Sequence, residues 1–231
     1  NVMSNGILIF KGMKVGILPG DFTITLNEEG EQSSKLILST AYNVVPLWLR
    51  ISQDNLKLAK AASSEIPQKW ADNADLQKEL LLNELAPAMQ VFVSCGIALD
   101  ALYDTMRPHA KLTQQEIEAW RNKKTSRAKQ IVEVLRRTHK LKGKTLKDFD
   151  GCISQVIKLR DMAVHPSTEL KNACSRPDIP VAVDWKFSAY RFQNAEWCFN
   201  NTVNMIVYLY EHKSENIEID DSITHIVDAL E

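Results

Sequence analysis

The spacing of apolar residues changes once along this chain, near residue 40, and that change constrains the fold more than any other feature. Before it, "FTITL" alternates Phe22, Ile24 and Leu26 at a period of two, the signature of a strand with two unlike faces. After it, Tyr42, Val45, Leu49, Leu56 and Ala59 recur near i, i+3, i+4, which places them on one side of a helix. "GILIF" and "MKVGIL" flank Lys11-Gly12, a two-residue turn in which glycine supplies positive φ. "KLILS" reads as a fourth strand after the polar loop "NEEGEQSS". Residues 1–40 are therefore expected to form a small antiparallel β meander, too short to build its own core.

Helical spacing then continues almost to the end. The first helix is expected over 42–62, with Pro46 in its first turn, where a missing N–H costs nothing. A longer one spans about 72–106, on which Leu81, Leu85, Met89, Phe92, Leu99, Leu102 and Met106 form one stripe; Pro87 is expected to kink or split it. Thr113 and Glu116 have the spacing of a capping box and open a helix expected to reach Thr138. A lysine-rich connection at 139–147 leads to a helix ending at Val164, and "VAVDWKF" reads as a short strand. Ser188 is expected to cap a long final helix over 189–212. The reading is a mainly α chain: a β appendage (1–40), a bundle of about five helices (41–213) and an acidic tail (214–231), with a short helix expected after Asp221.

Composition excludes several function classes. The four cysteines, Cys95, Cys152, Cys174 and Cys198, form no CxxC pair, which argues against a zinc site or a disulfide framework and fits a reducing cytoplasm. No metal or other cofactor is expected. No apolar run is read as long enough to span a bilayer, and no basic segment followed by an apolar one marks a signal peptide. P-loop, GxSxG and HExxH motifs do not occur.

The net charge of −1 names no partner, but the charge is unevenly spread. From Arg121 to Lys147 there are eleven basic residues and one acid, Glu133, for a segment net of +10. Arg121, Lys123, Lys124, Arg127, Arg136, Arg137, Lys140, Lys142 and Lys144 are the candidates for contact with an RNA backbone. The alternative is a solvated face balanced by acids brought near it in space.

The motif that carries chemistry is "IKLRDMAVHPS", residues 157–167. Five residues turn a helix by about 500°, so Arg160 and His165 would not stack on a continued helix. Pro166, however, drives the preceding residue out of helical conformation, which lets His165 fold back toward Arg160. Histidine exchanges a proton near neutrality, and arginine offers a permanent cation with planar donors for phosphate. Together they are a minimal kit for cutting RNA without a metal: one group takes the 2′-OH proton, the other steadies charge on the phosphoryl oxygens. Capping of a helix C-terminus by cations explains each residue singly.

"KLRDMAVHPS" at a helix end, followed by a loop and one more long helix, resembles the HEPN family over roughly residues 72–212. "CGIALDALYD", residues 95–104, resembles that family's acidic segment on the facing helix. The resemblance implies an all-α bundle and a metal-independent ribonuclease. Arg160 and His165 would be catalytic, with Asp161 and Asp100 supporting them. It also implies a homodimer that joins two such pairs in one cleft, and a toxin or antiphage setting with a cognate antitoxin or partner protein. Other members of that family are catalytically silent and bind nucleotides or proteins, which is the alternative reading here. A third reading is a basic helical protein that binds RNA without cutting it.

Overall fold

A computed structural model describes residues 7–27, 29–165, 167 and 169–230. By its internal contacts the chain divides into two units, residues 1–43 and 44–231.

The first unit holds four short strands: β1 (Met13–Gly16), β2 (Phe22–Leu26), β3 (Gln32–Leu36) and β4 (Ser39–Tyr42). Pairing is antiparallel and nested. β2 and β3 form a hairpin with Phe22 opposite Leu36, while β1 pairs with β4, Met13 opposite Tyr42. Lys11-Gly12 makes the expected tight turn, with Gly12 at φ 93° and the Met13 amide donating to the Phe10 carbonyl at 3.1 Å. Residues 7–10, expected as a strand before that turn, adopt none. No described residue of this unit is buried, and Leu8, Phe22, Ile24 and Leu26 are among its exposed apolar side chains.

The second unit is helical, so the mainly α class with a small antiparallel β segment at its N-terminus holds. α1 (Val45–Lys69) and α2 (Ala74–Met106) form a helical hairpin across a four-residue link. Pro46 lies in the first turn of α1, and Asn73 caps α2 by accepting from the Asp75 and Leu76 amides at 3.1 and 3.0 Å. α2 runs unbroken through Pro87. The proline deletes only the bond to the Asn83 carbonyl, and fully buried neighbours such as Ala88, Val91 and Phe92 hold the helix together around it. By length and composition α2 is apolar enough to cross a bilayer, contrary to the sequence reading, and half of the qualifying stretch is buried against other parts of the protein.

Thr113 and Glu116 do form the capping box, but the helix they open, α3 (Gln114–Asn122), is short. α4 (Arg127–His139) starts afresh with Ser126 accepting from the Lys129 amide at 3.4 Å. Between them Lys124 takes a left-handed φ of 49°, a position that usually signals itself by glycine. α4 ends on Lys140, also left-handed at φ 53°. α5 (Gly143–Val164) begins inside the stretch expected as a lysine-rich connection and buries Phe149, Cys152, Ile153, Val156, Ile157 and Leu159.

After α5 come a two-residue strand pair, β5 (Cys174–Ser175) with β6 (Ala182–Val183), and a short helix, α6 (Trp185–Ala189). The expected cap Ser188 lies inside α6. The long helix α7 (Phe192–Glu211) starts later, at Arg191, without a side-chain cap. Glu84 of α2 fills that role from a distance: its Oε1 accepts from the Phe192 amide at 2.9 Å. The segment read as an acidic tail carries α8 (Ile217–Asp228), which starts before the short helix expected after Asp221 and whose Ile219, Ile223 and Ile226 are buried in the main core. Asn216 caps it, and Glu218 and Asp220 occupy the first turn, where the helix dipole favours acids.

Candidate functional site

The site is built on one face of α2. Gly96, Asp100 and Asp104 follow at steps of four, with Tyr103 three residues after Asp100, so they line one side of the helix. α5 brings Arg160 onto this face and α4 brings Arg127. Arg160 Nη1 donates to Asp100 Oδ2 at 2.9 Å, and Arg127 Nε donates to Asp100 Oδ1 at 2.6 Å. One carboxylate thus ties three helices together. Arg127 also reaches Asp104 at 3.5 Å and lies 3.9 Å over the Tyr103 ring. Burial opposes the Arg127 charge, and the hydrogen bond and charge of Asp100 more than offset that, raising its pKa above the usual arginine value.

Asp161 Oδ1 lies 2.8 Å from Arg160 Nε as an ion pair, outside the alignment of a hydrogen bond. The Arg160 side chain is 17% exposed and Asp161 53%, so the guanidinium is mostly enclosed while Asp161 faces solvent. Two arginines and three aspartates leave this cluster with one net negative charge.

His165 caps α5. Its backbone is non-helical at φ −120°, ψ 71°, and its amide still donates to the Asp161 carbonyl at 2.9 Å. The residue is exposed, and its ring makes no hydrogen bond or ion pair among the described residues. Arg160 and His165 therefore share one end of α5 with no hydrogen bond between their side chains. Pro166, expected to turn His165 out of the helix, lies outside the described residues.

The nine basic candidates separate into three sets. Arg121, Lys123 and Lys124 are exposed around the α3–α4 turn, three to six residues before Arg127 in the chain. Lys142 and Lys144 are exposed at the start of α5, about 24 Å along that helix from Arg160 at about 1.5 Å per residue. The other four are engaged by carboxylates. Arg127 holds Asp100, Arg136 pairs with Glu133 at 2.7 Å, Arg137 pairs with Glu133 and Glu116, and Lys140 with Glu215. Hydrogen bonding to Arg137 and Thr113 drops Glu116 to about 2. Acids near in space thus balance much of the segment that nets +10 in sequence.

Other histidines serve the bundle. His109 accepts from Asn216 Nδ2 at 3.1 Å, and His212 stacks on Tyr208 with ring centres 3.9 Å apart. Burial lowers His139 to about 4. An open groove of about 350 Å³, lined by Asp104, Arg107, Pro108, Lys111, Leu112 and Ile117, adjoins the Asp104 end of the cluster. Among the described residues no three His, Cys, Asp or Glu side chains gather where they could hold a metal ion.

Sequence reasoning named Arg160, Asp100, Asp161 and His165 but missed two features of the site. It took Arg127 for an RNA contact, although its partner is Asp100. It also passed over Gly96, although the Gly-x3-Asp-x3-Asp spacing in "GIALDALYD" marks a helix face with a gap at one end. No family model, no curated protein and no solved structure matches the chain.

Proposed function

We propose that the protein is a metal-independent endoribonuclease of HEPN type that works as a homodimer. The observation that supports this reading is the end of α5. There a guanidinium is fixed by Asp100, and five residues later an exposed imidazole has no partner of its own among the described residues. In the proposed step His165 takes the proton of a ribose 2′-OH, and the oxygen attacks the adjacent phosphorus. The P–O5′ bond breaks, leaving a 2′,3′-cyclic phosphate. The departing 5′-oxygen takes a proton from water or from the second copy's histidine. Arg160 steadies charge on the phosphoryl oxygens. Arg121, Lys123 and Lys124, exposed at the α3–α4 turn, guide the RNA. A toxin or antiphage role, with an antitoxin or other protein partner, would follow from such an activity.

The experiment is RNA cleavage in EDTA by the full chain, beside His165→Ala and Arg160→Ala. His165 is exposed and unpartnered, so its removal should change stability by no more than about 0.5 kcal/mol. Loss of cleavage in a variant that melts like the parent then reports chemistry. Equal cleavage by all three proteins sinks the reading.

One observation favours a second reading, a catalytically silent binding module. Asp100 and Asp161 already occupy the Arg160 guanidinium, and a phosphate would have to displace carboxylates to reach it. In that case neither substitution alters any activity on RNA, and Arg160→Ala acts on stability alone.

A further inference from the structure

Gly96 sits one helical turn before Asp100 on α2, directly beneath Arg160. A Cβ added at Gly96 would lie 2.7 Å from Arg160 Cγ, 2.9 Å from its Cβ and 3.5 Å from its Nε. The first two contacts are closer than real carbon atoms come. Moreover, the Arg160 Cβ is fixed by the α5 backbone and cannot swing aside. The bare glycine is therefore a notch in α2 into which the stem of Arg160 is laid. The stem runs across the notch and its guanidinium arrives at Asp100, 2.9 Å from Oδ2.

We propose that Gly96 is a positioning residue for Arg160: its missing side chain lets α5 approach α2 closely enough to deliver the guanidinium to Asp100, and any side chain there evicts it. Helix propensity argues for alanine at this place, since glycine inside a helix is intrinsically unfavourable. The contact with Arg160 is what offsets that cost. Gly151, inside α5, supplies the internal control. It also lies within a helix, and a Cβ there would meet nothing within 4 Å.

The inference rests on the ribonuclease reading only where it concerns turnover. The first experiment does not use activity. Melting temperatures of the full chain are compared for Gly96→Ala, Gly151→Ala, Arg160→Ala and the double variant Gly96→Ala/Arg160→Ala. Gly151→Ala should raise the melting temperature by about 1–4 °C, whereas Gly96→Ala should lower it. Arg160→Ala should lower it in the parent and lower it less in the Gly96→Ala background, because Cγ, the nearer clashing atom, is gone while Cβ remains. If Gly96→Ala does not fold, recovery of folding by Arg160→Gly, which removes the clashing Cβ as well as Cγ, supports the proposal, and continued failure where Arg160→Gly alone folds overturns it. A rise on Gly96→Ala like that at Gly151, or an equal loss from Arg160→Ala in both backgrounds, overturns it as well.

The second experiment measures RNA cleavage in EDTA. Gly96→Ala should reduce kcat to the level of Arg160→Ala with KM unchanged, and Gly151→Ala should match the parent. Parent-like kcat in Gly96→Ala overturns the positioning role. If the parent itself does not cut RNA, the ribonuclease reading fails, and the melting comparison alone decides whether Gly96 places Arg160.

Discussion

Replacing Arg176 by methionine should be the most damaging single change in the helical unit. Arg176 and Glu84 are each only 1% exposed at the side chain, and Arg176 Nη1 lies 2.8 Å from Glu84 Oε2. Arg176 also donates to Asp178 at 3.0 and 2.6 Å and to the Phe187 carbonyl at 2.9 Å. The pair therefore joins the middle of α2, the loop after α5, α6 and, through the Phe192 amide, the start of α7. Without Arg176 the Glu84 carboxylate keeps one backbone donor and no countercharge. Stranding one member of a buried pair costs about 3–5 kcal/mol. Asp178 is 23% exposed and can turn to water, which keeps the sum within that range. For a unit of this size the loss amounts to about 6–20 °C in melting temperature, at about 2–4 °C per kcal/mol. Urea unfolding followed by circular dichroism measures it directly, and the m-value should not change. The double variant Glu84→Met/Arg176→Met removes both charges together and should recover most of the loss. A cost below about 1 kcal/mol for Arg176→Met, or a double variant as unstable as the two single losses combined, would refute the reasoning.

Two further expectations follow from the same geometry. Burial lowers His139 to about 4, with the charge of Asp220 opposing the shift. The folded protein thus refuses a proton that the unfolded chain accepts near 6.5. The penalty is absent above that value, grows as the pH falls, and levels off below about 4 at about 3 kcal/mol. His139→Gln should flatten the stability–pH curve between 6.5 and 4 relative to the parent, and parallel curves would refute this. RNA binding, measured by anisotropy across a salt series, should weaken in Lys123→Glu/Lys124→Glu and lose about 0.7 of salt slope per lost contact. Lys142→Glu/Lys144→Glu, at the other end of α5, should bind as the parent does. The reverse pattern would place the RNA elsewhere.

What the sequence made legible followed from local chemistry. The capping box of Thr113 and Glu116, Pro46 at the head of α1 and the turn at Lys11-Gly12 each need only their neighbours, and each is present. What it hid depended on residues far apart. The break between α3 and α4 falls on Lys124, a lysine in a conformation that glycine normally announces. Pro87 carries a strong local signal for a broken helix, and burial on its neighbours overrides it. α7 begins where Glu84, far away on α2, offers an acceptor, so no local cap marks its start. α8 looked like a tail because its acids stood out, while Ile219, Ile223 and Ile226 supplied the apolar side. At the site, Arg160, Asp100, Asp161 and His165 were legible through a motif. Arg127 was not, since nothing in its own neighbourhood announces Asp100 as its partner.

The two carboxylates on Arg160 are unlike, and the difference decides what the site can do. Asp100 is enclosed, with its side chain 23% exposed, and shared with Arg127. Releasing it would leave a part-buried carboxylate and break the contact that joins α2, α4 and α5. Asp161 is 53% exposed and close to Arg160 without hydrogen-bond alignment, so water competes for it and the pair is worth little. An incoming phosphate therefore has one carboxylate it can displace and one it cannot. Displacing Asp161 would open the Nε side of the guanidinium, the side of an arginine fork suited to two-point contact with phosphate. Asp100 would meanwhile hold Nη1. The geometry that makes Arg160 look spoken for is thus the geometry that would keep it aimed while a substrate bound.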